Sequence, residues 1–218
     1  NGAEKIVFAS SGCVYPTSAQ MDVTKEVFLY EDMVKPPYEA DDLYGWAKLM
    51  AELTLKAYHH QHEVKTASCR YFTVYGPRCT ENHAVMAMIA RGYLKLDPFE
   101  VWGDGAQTRS FMYIDDCITG LDKLMESDFS DPINLGRSEM VSINGLIDII
   151  SEIAGVNVEK NHDLNAPQGV RGRNSDNTLI LDKLEWEPEV DLKTGLAKTY
   201  AWIEEQIERE AKGESVIS

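Results

Sequence analysis

Positive charge is scarce in this sequence, which has 21 lysines and arginines against 36 aspartates and glutamates and a formal net charge of -15. Nucleic acids and anionic membrane surfaces bind clustered Lys and Arg, so neither is expected as a partner. Long apolar runs are also lacking, since none approaches the ~20 residues that span a bilayer. With 44% hydrophobic and 26% charged residues, the composition is that of an ordinary globular protein.

Metal-binding and disulfide patterns are lacking too. The chain has four cysteines: Cys13, Cys69, Cys79 and Cys117. They form no C-x-x-C pair and have no zinc spacing, so a reducing, cytoplasmic setting is expected. Three histidines stand close together at His59, His60 and His62. Because no cysteine accompanies them, a solvated helix end is favoured and no metal is expected.

A glycine-rich turn is the third absence. Dinucleotide-binding folds seat the pyrophosphate on such a turn between a strand and a helix, followed by an acid for the ribose. The 218 residues contain neither G-x-G-x-x-G nor G-x-x-G-x-x-G. If the fold is of this kind, the chain is expected to open in its middle, without the N-terminal Gly-rich part.

What the sequence does contain is an alternation of strand-like and helical patterns, which predicts an α/β fold with mostly parallel strands. Asp41 and Asp42 predict the start of a helix that runs to about His60. Its helically spaced apolar residues predict the packed face: Leu43, Trp46, Ala47, Met50, Leu53 and Ala57. Residues 16–41 are interpreted as a long loop, and residues 161–177 as irregular.

The strongest chemical signal joins SSGCVYP at 10–16 with YGWAK at 44–48. Alternation along a strand puts Ser11 and Cys13 on one face, and Tyr44 and Lys48, four apart, share a helix face. An ammonium near a phenol favours the phenolate, so these groups suit proton transfer in alcohol–ketone chemistry. Either stretch alone is also compatible with ordinary helix or loop structure.

Together the two stretches resemble the Ser…Tyr-x-x-x-Lys signature of the short-chain dehydrogenase/reductase superfamily, in its extended, nucleotide-sugar-modifying branch. Further matching blocks are RYFTVYGP (70–77), WGDGAQTRSFMYIDD (102–116), INLGRSEMVSINGL (133–146) and QGVRGRNSDN (168–177). In combination they resemble the GDP-mannose 3,5-epimerase family. The resemblance implies a partial Rossmann-type parallel sheet at 1–78, to which later segments return, and a smaller α/β sugar-nucleotide-binding domain mainly at 79–218.

The resemblance also implies NAD as cofactor and a nucleotide-diphosphate sugar as substrate. It makes Tyr44 the base for transient oxidation at sugar C4, with Lys48 beside the nicotinamide ribose and Ser11 on the reacting hydroxyl. The C4 ketone acidifies the protons on C3 and C5. Inversion at these carbons needs an acid and a base on opposite faces of the ring, and these roles fall to Cys13 and His83.

Phosphate and sugar contacts are implied by the same blocks. The planar fork of arginine pairs bidentately with phosphate, which assigns Arg109 and Arg173 to the diphosphate, with surface salt bridging as the alternative. The other expected substrate contacts are Thr73, Asn82, Arg91, Gln107 and Arg171, and the further expected cofactor contacts are Ser10 and Tyr71.

Two departures leave the product open. The family has a lysine where His83 stands, and its members usually have Asn at the position of Thr73. An imidazole titrates near neutral pH and can replace a lysine in proton transfer. A 4-epimerase or a 4,6-dehydratase is the alternative, although Gly12-Cys13 replaces the Asp-Glu pair of a dehydratase.

A third reading is an inactive fragment that binds a sugar nucleotide or another chain. The lack of a Gly-rich turn is what favours it. An uncovered central strand of a parallel sheet is a pairing edge. A homodimer, or pairing with a missing N-terminal segment, is therefore expected.

Overall fold

The computed structural model describes residues 3–22, 27–80, 83–166 and 170–214. The helices are α1 (Asp42–His62), α2 (Ala84–Tyr93), α3 (Ile114–Glu126), α4 (Ile143–Ala154), α5 (Thr178–Leu184) and α6 (Leu192–Ala211). The strands are β1 (Lys5–Ser11), β2 (Phe28–Leu29), β3 (Lys65–Tyr71), β4 (Thr73–Tyr75), β5 (Phe99–Trp102), β6 (Thr108–Arg109), β7 (Phe111–Tyr113), β8 (Pro132–Leu135), β9 (Val141–Ser142), β10 (Lys160–Asp163) and β11 (Gly172–Ser175).

The chain folds into two compact units, each assembled from three segments. The first unit comprises Asn1–Val74, Arg109–Met140 and Val170–Glu189, and the second comprises Tyr75–Thr108, Val141–Gly169 and Val190–Ser218. The functional assignment of 1–78 and 79–218 stays a prediction.

The first unit is organised around a parallel sheet in the order β1-β3-β8. Lys5 of β1 lies opposite Lys65 of β3, and Ser68 of β3 lies opposite Pro132 of β8. Its core contains Cys69, Met112 and Ile133, all nearly or wholly inaccessible to solvent. Parallel pairing with intervening helices confirms the predicted α/β class. Among the described residues, β1 pairs with β3 alone and its other edge is open.

The predicted packed face of α1 is wrong in most of its residues. The residues that α1 buries are Gly45, Leu49 and Glu52, whereas Leu43 is 82% exposed and Met50 57% exposed. Of the predicted face, Leu53 does pack against the core. Helical spacing identifies an apolar stripe but not the side of the helix that meets the sheet.

The interpretation of 161–177 as irregular is also wrong in part. It contains the end of β10, which pairs parallel with β5 in the second unit, and all of β11, which pairs parallel with β2 in the first. Both strands are short and polar, so the sequence carries little strand signal there. β2 lies within residues 16–41, which the sequence predicts as a loop. Its pairing with β11 attaches this segment to another strand.

Two local features of the second unit follow directly from its residues. Gly103 and Gly105, in the WGDG turn, have positive φ of 76° and 70°, a region that favours glycine. Ser142 caps α4, since its side chain accepts a hydrogen bond from the Gly145 N–H. None of the helices in the described part of the chain is long and apolar enough to cross a membrane.

Candidate active site

The carboxyl end of β1 meets the first turn of α1 through backbone contacts. The Asp41 N–H donates to the Cys13 carbonyl at 2.8 Å, and the Gly45 N–H donates to the Asp41 carbonyl at 3.0 Å. A Cβ on Gly45 would lie 2.2 Å from the Cys13 carbonyl oxygen. Glycine at position 45 is therefore what lets the helix carrying Tyr44 approach the Cys13 loop so closely.

Tyr44 and Lys48 lie on one face of α1, as their spacing predicted. The Lys48 Nζ donates to the Ala9 carbonyl of β1 at 2.8 Å and lies 5.5 Å from the centroid of the Tyr44 ring. Tyr44 is 56% exposed. The ammonium thus links the helix to the last residues of β1 and leaves the phenol accessible to a ligand.

The serines at the end of β1 have different surroundings. Ser11 is half-buried, and its Oγ accepts a hydrogen bond from the Cys13 N–H at 3.1 Å. Ser10 is buried, and its Oγ donates to Glu52 Oε1 at 2.5 Å. The structure therefore places Ser11 beside Cys13, but the predicted alternation of the two along one strand is wrong, because β1 ends at Ser11 and Cys13 lies in a 3-10 turn at Gly12–Val14 that Ser11 caps. The Ser10 hydroxyl belongs to a buried network beneath α1. The cofactor role assigned to Ser10 stays a prediction.

We call that network the closed cluster, formed by Ser10, Tyr15, Glu52 and Arg70. Arg70 donates to Glu52 through Nη2 at 2.8 Å and to the Tyr15 hydroxyl through Nη1 at 3.3 Å. Burial raises the pKa of Tyr15, so its phenol stays protonated. Glu52 and Arg70 also line a cavity of about 600 Å³, to which no residue of the predicted site contributes.

A second network, the open cluster, is formed by Cys13, Gln20, Asp41 and Arg173. The guanidinium of Arg173 donates to Gln20 Oε1 at 2.8 Å, to Cys13 Sγ at 3.0 Å and to Asp41 Oδ2 at 2.5 Å. The side chains of Arg173 and Asp41 are 14% and 29% exposed. Unlike the closed cluster, this one reaches solvent and contains a thiol.

Arg109 and Arg171 belong to the same electrostatic environment. Burial, together with the positive charges of Arg173 and Arg171, lowers the pKa of Arg109 to about 10, while Asp41 opposes the shift. Arg109 remains charged at neutral pH. Three guanidiniums and the Asp41 carboxylate interact here, and guanidiniums are groups that bind anionic ligands.

The remaining predicted residues of the first unit are Tyr71 and Thr73. Burial and the neighbouring thiols Cys69 and Cys117 raise the pKa of Tyr71, whose ring packs against the core. Thr73 is half-buried in β4. The roles assigned to both residues stay predictions.

Other predicted residues belong to the second unit. His83 is exposed and directly precedes α2. Arg91 donates to the Glu100 carbonyl at 3.2 Å, and Gln107 is buried with its Nε2 donating to the Trp102 carbonyl at 2.9 Å. Asn82 lies outside the described residues. Their assigned roles stay predictions.

Sequence reasoning missed part of the open cluster. Asp41 was interpreted as a helix cap, yet its carboxylate accepts no hydrogen bond from the first turn of α1 and pairs with Arg173 instead. Gln20 was placed in a loop without a role. Asp42 directly follows Asp41, and a helix start needs only one capping acid. The second acid was the sequence signal that one of the two has another partner.

A family model now adds to this geometry. The model of the NAD-dependent epimerase/dehydratase family matches residues 1–136, more than half of the chain. The chain therefore belongs to the NAD-dependent epimerase/dehydratase family.

The chain is also similar to individual members of this family. The GDP-mannose 3,5-epimerase of Arabidopsis thaliana is 41% identical over 221 residues, which cover 99% of this chain and 58% of the relative. The chain thus spans less than two thirds of the length of that curated relative.

Solved structures agree in fold. The UDP-glucose 4-epimerase of Thermotoga maritima, solved with UDP-glucose, has a TM-score of 0.81 at 26% identity over 94% of this chain and 65% of its own. The UDP-glucuronic acid 4-epimerase of Bacillus cereus, solved with UDP-glucuronic acid and NAD, has a TM-score of 0.77 at 31% identity over 93% of this chain and 62% of its own. These neighbours support the predicted Rossmann-type fold.

Proposed function

We propose that this chain is the substrate-facing portion of an NAD-dependent nucleotide-sugar epimerase that acts like a GDP-mannose 3,5-epimerase. The observation that carries the proposal is the placement of Cys13 beside Ser11 and Arg173, where the first turn of α1 delivers Tyr44. A thiol among polar groups at the end of a β-strand suits proton transfer to and from carbon, which a 4-epimerase does not require.

The residues divide the work in the following way. Tyr44, beside the Lys48 ammonium, takes the proton of the C4 hydroxyl, and Ser11 orients that hydroxyl. Once C4 is a ketone, the protons at C3 and C5 become acidic because the resulting carbanion is an enolate. Cys13 exchanges one of these protons, and His83 is proposed as the opposing acid or base. Arg109 and Arg173 hold the diphosphate.

The residues present fit the nicotinamide end of NAD. An accessible phenol with an ammonium 5.5 Å from its ring centroid lies at the carboxyl end of a parallel strand, where α/β folds bind their ligands. Tyr44 and Lys48 would hold the nicotinamide ribose. When bound, NAD supplies the acceptor for the hydride from C4.

The test combines cofactor binding with isotope exchange. Calorimetry measures NAD binding to the purified chain, and GDP-mannose is then incubated with protein and NAD in heavy water. We expect deuterium at C3 and C5, detected by NMR. Tyr44→Phe should lower exchange by about 10²–10⁴-fold, the usual contribution of a general base. Tyr58→Phe is the matched control, since Tyr58 lies on the same helix with 54% exposure against 56%.

Two results would contradict the proposal. If NAD does not bind even at high concentration, the chain is inert as it stands and the catalytic reading fails. If NAD binds and the sugar product is inverted at C4 without deuterium at C3 or C5, the activity is that of a 4-epimerase. Loss of exchange in both tyrosine variants would indicate damage to α1 and not removal of a base.

The proposal includes association with a further chain or segment. The open edge of β1 can accept another strand, and α1 exposes Leu43, Trp46, Met50 and Tyr58 on its surface. We expect a homodimer, or pairing with an N-terminal segment of the same protein. Light scattering after size-exclusion chromatography tests this, and a concentration-independent monomer would argue against it.

A further inference from the structure

Asp41 is fixed by its backbone, while its side chain is turned away from the helix it precedes. Its N–H binds the Cys13 carbonyl and its own carbonyl binds the Gly45 N–H, so the residue has little freedom to move. An Asp in this position usually accepts hydrogen bonds from the first turn of the helix. Here the carboxylate is bound to Arg173 instead.

The Asp41 carboxylate occupies donors that a phosphate would need. A guanidinium recognises carboxylate and phosphate through the same N–H groups. In this structure Nη2 of Arg173 is bound to Asp41, Nη1 to Cys13 and Nε to Gln20. An anionic ligand must therefore replace Asp41 or bind beside its negative charge.

The surrounding charges show what this carboxylate offsets. The lowered pKa of Arg109 reflects burial and its like-charged neighbours Arg173 and Arg171, and Asp41 acts in the opposite direction. Without an anion in the site, a carboxylate reduces the repulsion among the three guanidiniums. When an anion is bound, the same carboxylate repels it.

We propose that Asp41 is a built-in counter-ion that holds Arg173 in place and weakens the binding of nucleoside diphosphates at the open cluster. This inference rests on the proposed function, because it takes the open cluster as the diphosphate site. Asp41 sets the affinity by acting through Arg173, so it is a positioning residue and not a catalytic one.

The experiment measures GDP binding by calorimetry at low and at high salt. Asp41→Asn and Asp41→Ser remove the charge but keep a side chain that caps helices well, so the fold should persist. We expect both variants to bind GDP roughly three- to tenfold more tightly than the wild type at low salt. The gain should shrink at high salt, and the melting temperature should fall because Arg173 loses its ion pair.

Asp42→Asn is the matched control. Asp42 is the neighbouring acid, is exposed, and accepts a hydrogen bond from the N–H of Leu43 instead of an arginine. Asp42→Asn changes the net charge by the same amount as Asp41→Asn. A general charge effect would therefore tighten GDP binding equally in these two variants. A double-mutant cycle adds Arg173→Gln, in which the further change Asp41→Asn should gain little if Asp41 acts through Arg173.

Each outcome supports or overturns the inference. The inference is supported if the Asp41 variants bind GDP more tightly than the wild type and Asp42→Asn does not. It is also supported if the wild type binds no GDP and an Asp41 variant does. If the wild type binds GDP and the Asp41 variants bind equally or more weakly, the inference fails while the diphosphate site stands. If neither wild type nor variant binds GDP, both fail. A full gain from Asp41→Asn in the Arg173→Gln background would also overturn it.

Discussion

The closed and open clusters use the same kind of residue for different ends. In each, one arginine donates hydrogen bonds to three residues, one of which is its ion-pair partner. The closed pair, Arg70 with Glu52, has side-chain exposures of 4% and 3%, whereas the open pair, Arg173 with Asp41, has 14% and 29%. Arg70 is enclosed by Tyr15 and backbone, while Arg173 touches a thiol.

This difference in exposure distinguishes an arginine with a structural role from the one proposed to bind the diphosphate. Both arginines lie in family blocks, Arg70 in RYFTVYGP and Arg173 in QGVRGRNSDN. The donors of Arg70 bind Glu52, the Tyr15 hydroxyl and the Glu31 carbonyl, so this arginine links α1 to the sheet and its surroundings. The donors of Arg173 bind partly exposed groups, where the proposed diphosphate would bind.

The largest effect is expected from breaking the closed pair. Arg70→Met leaves the buried Glu52 carboxylate without its cation, so the free energy of unfolding should fall by about 3–5 kcal/mol. Urea denaturation measures this. Asp128→Asn, which breaks an exposed pair with Lys65, should leave the urea midpoint unchanged.

The double variant Arg70→Met with Glu52→Leu sharpens the result. Removing both charges takes away the desolvation cost together with the attraction, so much of the lost stability should return. If the single variant is as stable as the wild type, the closed cluster is not the structural element described here.

The next largest effect is expected in the rates at which thiols inside and outside the open cluster are alkylated. Burial raises the pKa of Cys69 to about 11 and of Cys117 to about 12. Near pH ~8 they should react with iodoacetamide at least about 100-fold more slowly than an ordinary thiol, because so little thiolate is present. Peptide mass spectrometry over time should show Cys13 labelled first, with the half-buried Cys79 slower.

Unfolding the protein in denaturant provides the control, since all four thiols should then react at similar rates. Equal labelling of Cys69 and Cys13 in the folded protein would mean that the core opens readily. The contrast between sealed and accessible regions would then be lost.

The smallest effect concerns Glu31, at the margin of the closed cluster. Burial raises its pKa above the ordinary value of 4.5, so the folded state binds the proton more tightly than the unfolded state. The stability contributed by protonated Glu31 is complete below pH 4.5 and is lost as pH rises through the folded-state pKa.

Glu31→Gln should remove this slope, because glutamine does not titrate. The glutamine keeps an oxygen for the Asn134 N–H, which Glu31 accepts at 2.7 Å. Urea midpoints across the acidic range measure the slope. Identical pH profiles for variant and wild type would contradict the assignment.

The sequence predicted the α/β class and the extent of α1 because periodicity and helix-start signals are local. Ser142 and the residues after it are an example, since the cap and the helix it begins are adjacent in the chain. The orientation of α1 could not be predicted in this way. It depends on Gly45 meeting the Cys13 carbonyl and on Glu52 meeting Arg70, which are tertiary contacts.

The same limit applies to the candidate site. Ser11, Cys13, Tyr44 and Lys48 could be singled out because each pair is close in sequence. The contact of Cys13 with Arg173 joins residues 160 positions apart, and spacing contains no sign of it. Resemblance to a family named both residues, but it did not show that Asp41 shares the guanidinium.

The hydrogen bond from Asp41 N–H to the Cys13 carbonyl involves backbone atoms alone. The side chain at position 13 is linked to the tyrosine-bearing helix through Arg173, which binds both Cys13 Sγ and Asp41, but this backbone hydrogen bond does not depend on that side chain. We expect that this side chain can be replaced without moving the helix. Cys13→Ser or Cys13→Asp should alter which proton is moved while Tyr44 keeps its position. A single substitution at position 13 would then change the proposed proton transfer without changing the fold.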